Sequence, residues 1–275
     1  MFRSVGIIGL GLIGGSLAKA FRHSGMKVFG LDNDMTTLRD AVETDIFEGL
    51  TDNISEFLEF GTDFIYIATP VHTALELLEH LAERKVTQLV TDACSTKTSI
   101  CRKAEKLGLR FCGGHPIAGK ETSGFKNSDP SILNNAYHML IQSQNETDID
   151  NLRKLHEQIG MKVKLINPEK HDYVFGAVSH FPHMISFLLM EMILSKDKGL
   201  FEYTGGGFKD FTRIAASDSA MWSDIFIDNK SNLLTLIDDY INLLKSWRTD
   251  LKNCDKRAVY SKIEQISKYR QCLYD

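Results

Sequence analysis

A glycine motif near the start of the chain constrains its fold more than any other feature. Residues 9–14 read Gly-Leu-Gly-Leu-Ile-Gly, a G-x-G-x-x-G pattern. A short apolar run at residues 5–8 precedes the motif, and a helical pattern at about residues 14–21 follows it. The motif alone is a weak signal, but a buried strand, a glycine turn and a helix in that order predict a nucleotide-binding unit.

The residues of this motif have separate physical roles in such a unit. Gly9 permits the tight turn, Gly11 lets the backbone approach a pyrophosphate, and Gly14 lets the helix pack close to the strand. Leu12 and Ile13 lie between the second and third glycines, just before the helix whose free N–H groups stabilise an anion. We therefore expect these five residues to form the cofactor-binding turn.

Two further strand ends are expected at the same site. Asp32 ends the second strand, where a carboxylate can accept hydrogen bonds from both ribose hydroxyls and would repel a 2′-phosphate, so NAD is favoured over NADP. Thr69, Pro70 and Val71 end another strand at the ligand-binding edge. A kinked turn there commonly touches the cofactor, although a simple strand terminator explains these three residues nearly as well.

Strand and helix patterns alternate through the first part of the chain, which predicts a parallel, doubly wound α/β sheet of the Rossmann type. The predicted strands are residues 5–8, 27–31, 63–68, 88–91, 110–112, 137–142 and 163–166, and the helices between them include residues 73–84, 96–107 and 149–159. After residue 168 only helical patterns remain, at about residues 169–194, 222–251 and 256–269. We therefore predict a nucleotide-binding domain over residues 1–166 and an all-helical domain over residues 167–275.

Composition narrows the class of protein. The formal net charge of −4 gives no reason to expect nucleic acid or an acidic membrane surface as a partner. Five widely spaced cysteines without a C-x-x-C pair suit free thiols in a reducing cytoplasm. We also expect no apolar run long enough to span a bilayer, and the glycine-broken N-terminus does not read as a signal peptide.

One histidine stands on a glycine-rich stretch that follows the last of the early strands. Residues 113–124 read Gly-Gly-His-Pro-Ile-Ala-Gly-Lys-Glu-Thr-Ser-Gly, which places His115 on a predicted loop where a ligand can approach the backbone closely. A histidine can transfer a proton near neutral pH. Together with the nucleotide site, this loop indicates redox chemistry on a small molecule.

A polar stripe is predicted on the helix at residues 169–194. At about 100° per residue, Asp172, Gly176, Ser179 and His183 share one face, and Pro182 is expected to kink the helix. Three histidines of this region could form a metal site, but the absence of an H-E-x-x-H pattern disfavours it. Its members would be His171, His180 and His183.

Two other segments carry groups suited to a site. Ser95, Thr96 and Lys97 follow Asp92, just after the strand predicted at residues 88–91. Arg213 follows the glycine turn at residues 205–207, where a guanidinium is well placed to bind a carboxylate through two hydrogen bonds. A local ion pair with a neighbouring aspartate explains this arginine about equally well.

Taken together, these segments resemble the prephenate dehydrogenase family of tyrosine biosynthesis over nearly the whole chain. The matching residues are Gly9-Leu10-Gly11-Leu12-Ile13-Gly14-Gly15-Ser16, Cys94-Ser95-Thr96-Lys97, Gly114-His115-Pro116-Ile117-Ala118-Gly119, His171-Asp172, Ser179-His180-Phe181-Pro182-His183, Gly205-Gly206-Gly207-Phe208, Thr212-Arg213-Ile214-Ala215 and Met221-Trp222. Residues 94–97 depart from a common Gly-Ser-Val-Lys pattern but keep the serine and the lysine.

The resemblance implies an activity and a role for each motif. It implies NAD-dependent oxidation and decarboxylation of prephenate to 4-hydroxyphenylpyruvate, with a helical domain that forms a homodimer. His115 would be catalytic and accept the proton of the ring hydroxyl, with Ser95 bonding in the same site. The implied substrate-binding residues are Arg213, His183, Gly206, Trp222 and Glu121. Arg213 would hold a substrate carboxylate. Glu121, together with Asp172, would also surround the site or control access to it.

Three other functions stay open from the sequence. Arogenate differs from prephenate by an amino group in place of the side-chain ketone, and the sequence does not distinguish these substrates. A β-hydroxyacid or sugar-acid dehydrogenase would normally use a lysine base on a helix, which the His115 segment argues against. A non-catalytic NAD-binding regulator would bind the cofactor without turnover.

Overall fold

The first part of the chain forms a five-stranded parallel sheet. The computed structural model describes residues 2–120, 122–142 and 145–274. Residue 274 is described by its backbone alone. The strands are β1 (Ser4–Ile8), β2 (Lys27–Leu31), β3 (Phe47–Thr51), β4 (Phe64–Ile67) and β5 (Leu89–Asp92), in the spatial order β3-β2-β1-β4-β5. The order reverses between β1 and β4, and ligands of such sheets bind outside the carboxyl ends of the strands at this reversal.

Helices cover both faces of this sheet. They are α1 (Leu12–His23), α2 (Met35–Val42), α3 (Ile54–Glu59), α4 (Val71–Glu83) and α5 (Thr98–Lys106). Because side chains alternate across a strand, Phe64 and Tyr66 join one apolar core while Ile65 and Ile67 join the other. The predicted Rossmann-type fold is confirmed in this part of the chain.

A smaller three-stranded sheet follows, and here the prediction for residues 110–112 is wrong. Only Phe111 of that segment pairs, in an isolated bridge to Val90, and the strand begins at Gly114. The second sheet contains β6 (Gly114–Pro116), β7 (Tyr137–Ile141) and β8 (Lys162–Ile166), with α6 (Glu146–Gln158) between β7 and β8. β6 is antiparallel to β7, and β7 is parallel to β8.

The long helix predicted at residues 169–194 is one continuous helical run with a wider turn inside it. It consists of α7 (Pro168–Phe175), a π-helical turn at Gly176–His180 and α8 (Phe181–Lys196). The N–H of Phe181 donates to the carbonyl of Gly176, five residues back, just before Pro182. Since proline lacks a donor and crowds the carbonyl four residues earlier, the wider π-helical turn before Pro182 accommodates it.

This run corrects one expectation. By length and composition alone, the 29-residue helix Pro168–Lys196 could cross a membrane, since an 18-residue window within it has a mean hydropathy of 1.4. The expectation that no segment is long enough is therefore wrong, because a helix tolerates isolated charges that interrupt an apolar run in the sequence. The same helix carries buried His171, Asp172 and His180, and each of these side chains makes a hydrogen bond within the protein.

The later helices differ from the prediction at one point. The helix expected at residues 222–251 is divided at Asn229 into α10 (Ser219–Asp228) and α11 (Lys230–Lys252), and α9 (Gly206–Thr212) precedes them. The break also separates two compact units, residues 1–229 and 230–275. The second unit is a helix pair, α11 and α12 (Lys256–Tyr274), joined by bonds from Lys262 to Ser246 and Asp250.

A pair of buried histidines lies between α6 and the second sheet. His156 donates from Nδ1 to the Leu152 carbonyl over 2.7 Å and accepts at Nε2 from the Tyr66 hydroxyl over 3.2 Å. His138 stacks on it with ring centroids 3.7 Å apart. Burial lowers the pKa of His156 from 6.5 to about 4, so the folded protein keeps this ring neutral in mild acid.

We therefore expect the free energy of unfolding to decrease as the pH falls from about 6.5 towards 4. In that range the unfolded chain binds a proton at His156 that the folded chain excludes, which costs about 1.4 kcal/mol per pH unit. Urea unfolding at fixed protein concentration between neutral and mildly acidic pH measures the slope. His156→Gln, which keeps an acceptor for Tyr66, should give a shallower slope; equal slopes would refute the assignment.

Candidate active site

The glycine turn has the shape expected of a nucleotide site. Gly9 has a φ of +90°, and a Cβ there would lie 2.8 Å from the Ala68 carbonyl oxygen. A Cβ on Gly14 would lie 1.9 Å from the Gly9 carbonyl oxygen, whereas a Cβ on Gly11 would meet nothing within 4 Å. Gly9 and Gly14 are therefore required by packing, and the open face at Gly11 leaves room for a ligand.

The first turn of α1 and the end of β2 complete this region. Gly11 is the N-cap of α1 and no side chain caps the helix, so its amino end is available to a phosphate through Leu12 and Ile13. The Asp32 carboxylate accepts the N–H groups of Leu10 over 2.7 Å and Asp34 over 2.9 Å. These bonds fix Asp32 beside the glycine turn, where it is partly exposed.

The segment after β4 borders the same turn. The Thr69 side chain lies 2.8 Å from the position of a Gly9 Cβ, and Pro70 is the N-cap of α4. Val71 is 4% exposed and belongs to the apolar core. The position of Thr69 and Pro70 therefore suits a cofactor contact, while the side chain of Val71 serves packing.

His115 lies on β6 and not on a flexible glycine loop. Its neighbour Gly114 donates its N–H to Asp92 over 3.0 Å, and its carbonyl accepts from Lys97 Nζ over 2.7 Å. A Cβ on Gly114 would lie 2.8 Å from Nε2 of His138. The glycine before His115 is therefore needed for close packing of a fixed strand, not for mobility.

A buried ion pair holds that strand in place. Asp92 and Lys97 are both 0% exposed and form a direct salt bridge. Burial opposes the charge on Lys97, but the charge and hydrogen bond of Asp92, together with the nearby Cys94 and Cys101 side chains, outweigh it and the pKa of Lys97 is raised. Asp92 also accepts the Cys94 N–H over 2.9 Å, so one carboxylate connects the ends of β5 and β6.

The imidazole of His115 begins a chain of hydrogen bonds. Its Nδ1 lies 2.9 Å from Nε2 of His171, and Nδ1 of His171 lies 2.9 Å from the Asp172 carboxylate. Burial, followed by the proximity of His171, lowers the pKa of His115 well below its usual value. His115 is therefore neutral near pH 7, as a proton acceptor must be.

Asp172 joins the long helix to α5. Its carboxylate accepts the N–H of Lys97 over 2.7 Å and of Thr98 over 2.8 Å, at the amino end of α5. Asn229 donates to the Asp172 carbonyl over 2.8 Å and lies 2.9 Å from Nδ1 of His180. The helix break at Asn229 thus supplies a bond that holds Asp172 and His180 together.

The predicted polar stripe is not preserved along the helix. The π turn adds a residue, so positions after it rotate relative to Asp172. His183 donates from Nδ1 to the Ser179 carbonyl over 2.8 Å and stacks on Trp222 with centroids 3.7 Å apart. His180, rather than His183, lies beside Asp172, but the structure does bring His183 and Trp222 together as a pair.

The remaining predicted residues are less closely tied to His115. Ser95 is partly exposed in the turn after β5, and its side chain makes no hydrogen bond within the described residues. Arg213 is exposed after α9, and Gly206 begins α9. Glu121 lies outside the described residues. Within the described ranges, no group of three or more His, Cys, Asp or Glu side chains could hold a metal ion.

A doubly wound sheet with an open glycine turn, followed by helices that contact a neutral histidine, defines a dinucleotide-dependent dehydrogenase with a helical second domain. Two family models cover the chain: the nucleotide-binding domain of prephenate dehydrogenase matches residues 17–165, and its dimerization domain matches residues 167–265. The chain belongs to the prephenate dehydrogenase family. The glycine motif itself lies just before the first match.

The relatives of this chain are named for more than one substrate. A prephenate dehydrogenase of Bacillus subtilis is 32% identical over 282 residues, which cover 97% of this chain and 75% of that protein. A cyclohexadienyl dehydrogenase of Zymomonas mobilis is 28% identical over 289 residues, covering 99% of this chain and 97% of that protein.

Similar solved structures are likewise named for different substrates. Aquifex aeolicus prephenate dehydrogenase, in complex with hydroxyphenyl propionate and NAD+, has a TM-score of 0.92, 33% identity and 99% coverage of both chains. Synechocystis arogenate dehydrogenase has a TM-score of 0.83 and 28% identity, covering 98% of this chain and 99% of that one. The family, the fold and NAD as its cofactor are thereby confirmed.

Proposed function

We propose that this protein oxidises and decarboxylates prephenate to 4-hydroxyphenylpyruvate with NAD. The observation that carries the proposal is His115, a neutral histidine on a fixed strand. Within the described residues only its Nδ1 has a hydrogen-bond partner, so Nε2 remains for a substrate. A ring hydroxyl at that nitrogen can lose its proton to the imidazole as the carbon beneath it is oxidised.

The chain's own residues then divide the work of binding and proton transfer. NAD, when bound, supplies the acceptor for the hydride. His115 takes the hydroxyl proton, and loss of carbon dioxide restores an aromatic ring. We assign Arg213 to a substrate carboxylate, and His183 and Trp222 to contact with the substrate from the helical part. Ser95, Gly206 and Glu121 are proposed to line the same site.

The cofactor assignment rests on the glycine turn. Gly9, Gly11, Leu12, Ile13 and Gly14 would receive the pyrophosphate at the amino end of α1. Asp32 would bind the ribose hydroxyls and disfavour a 2′-phosphate, while Thr69, Pro70 and Val71 would border the nicotinamide side.

We propose that the protein is a cytoplasmic homodimer. Within each subunit we place the domain boundary near Ile166, between domains of residues 1–166 and 167–275. A dimerization-domain match over residues 167–265 supports the dimer. Exposed apolar side chains along the later helices fit a subunit contact, among them Leu188, Met192, Ile241, Leu244, Ile263 and Ile266. All five cysteines are free, which suits a reducing compartment.

Rates with prephenate and arogenate, each with NAD and with NADP, test the function. We expect prephenate with NAD to give the highest kcat/KM. NAD should exceed NADP by at least about tenfold, because one unfavourable charge contact at Asp32 is worth about 1.4 kcal/mol. Faster turnover of arogenate would reassign the substrate, and NAD binding without turnover of either compound would indicate a regulator.

A further inference from the structure

We propose that His171 and Asp172 act together as positioning residues that fix the tautomer of His115. In this arrangement the Nδ1 of His115 carries the proton and Nε2 carries the free lone pair. The inference deepens the proposed function and rests on it, because a bare Nε2 is the group that would accept the ring hydroxyl proton.

The direction of the chain is set at Asp172. Its carboxylate accepts two backbone N–H groups, from Lys97 over 2.7 Å and Thr98 over 2.8 Å. Burial opposes ionisation, but the bonds from His171 and from Thr98 outweigh it and the pKa of Asp172 is lowered. An ionised carboxylate has only acceptor atoms, so the Nδ1 of His171, 2.9 Å away, must carry a proton.

The next link follows from the charge state of His171. Burial lowers its pKa, in spite of the carboxylate beside it, so the ring is neutral near pH 7. A neutral ring with a proton on Nδ1 has an unprotonated Nε2. The Nδ1 of His115, 2.9 Å from that nitrogen, must therefore donate to it.

The opposite arrangement is excluded by electrostatics. A proton on Nε2 of His171 would leave its Nδ1 lone pair against the Asp172 carboxylate at 2.9 Å, two acceptors without a hydrogen between them. Lys97, a further charged group that acts on His115, is engaged with Asp92 and the Gly114 carbonyl. His180 is occupied at Nδ1 by Asn229.

The backbone position of His115 and the tautomer of its ring are therefore fixed by different residues. The Asp92–Lys97 pair holds the backbone at Gly114, and the His171–Asp172 pair orients the ring that follows. This is the logic of a carboxylate that orients a catalytic histidine, extended by one intervening imidazole.

Side-chain nitrogen NMR of the full-length protein tests the inference directly. Spectra of uniformly 15N-labelled protein distinguish a protonated from a bare ring nitrogen, and the signals missing from His115→Asn identify His115. We expect a protonated Nδ1 and a bare Nε2 in the wild type near pH 7. A wild-type spectrum with the proton on Nε2 would overturn the inference, whatever the variants do.

Two variants add a kinetic test. In His171→Leu the acceptor is lost, so we expect a mixture of His115 tautomers and a kcat reduced about a hundredfold, with the dissociation constant of NAD within about twofold of wild type. In His171→Gln a carboxamide oxygen can replace Nε2, which should restore the single tautomer and bring kcat within about tenfold of wild type.

Asp172→Asn provides a second route if the leucine variant does not fold. Loss of the charge removes the preference at His171, so mixed His115 tautomers are expected there as well. A single Nδ1-protonated His115 in both His171→Leu and Asp172→Asn would refute the relay. Failure of the proposed function is separate, since the wild type would then show the expected tautomer without turnover of prephenate or arogenate.

Discussion

Replacing His115 by Asn is expected to lower kcat about a thousandfold while leaving the affinity for NAD within about twofold of wild type. The amide of Asn can occupy the place of the imidazole Nδ1 and keep the bond to His171, which lies 2.9 Å away in the wild type. It has no group that can take a proton near pH 7. The loss would therefore report proton transfer and not a disturbed strand.

Steady-state rates and NAD titration of the same preparation measure the two effects. His80→Asn is the matched control, because His80 is exposed on α4 and its change should leave both values unaltered. The pH profile gives a further check. Since burial lowers the pKa of His115, the acid loss of activity should fall below pH 6.5. A near-normal kcat in the Asn variant would reject His115 as the proton acceptor.

Replacing Lys97 by Met is expected to reduce the free energy of unfolding by about 3–5 kcal/mol. The change leaves the Asp92 carboxylate buried without its counter-ion and removes the donor to the Gly114 carbonyl. An uncompensated buried charge costs far more than a lost surface pair. Urea unfolding at fixed protein concentration measures the difference.

The double variant Asp92→Asn with Lys97→Met should be less destabilised than the sum of the single variants, because the two losses share one ion pair. Lys103→Met is the control. Its partner Glu79 is 55% exposed, so the effect should stay within about 1 kcal/mol. Similar losses at Lys97 and Lys103 would show that the buried pair has no special role.

The geometry of the glycine turn could be predicted because its constraints are local. Gly9, Gly14 and Asp32 act through a tight turn and the end of the adjacent strand, and both leave a pattern in the sequence. β3 was missed because Phe47–Thr51 contains a glutamate and a glycine and is only partly buried. Its short run of apolar residues carries little periodic signal.

The chemistry of His115 could be only half predicted. Its role in the reaction is a prediction from the sequence around it, whereas its strand is fixed by Asp92 and Lys97, which bond to Gly114 from a distant part of the chain. The π turn before Pro182 could not be predicted from the spacing of a regular α-helix. It changes which later side chains face Asp172. Periodicity assumes a constant rotation per residue, which this helix does not have.

The hydrogen bonds of Asp172 have a consequence for the order in which the protein matures. The segment that holds His115 leaves the ribosome well before residues 171 and 172, and domains generally fold from the amino end during synthesis. Under the proposed relay, the imidazole would have neither a fixed proton nor a fixed orientation until the later residues arrive. An incomplete chain would thus be inactive. Catalytic activity would begin only when the start of the long helix has packed against α5.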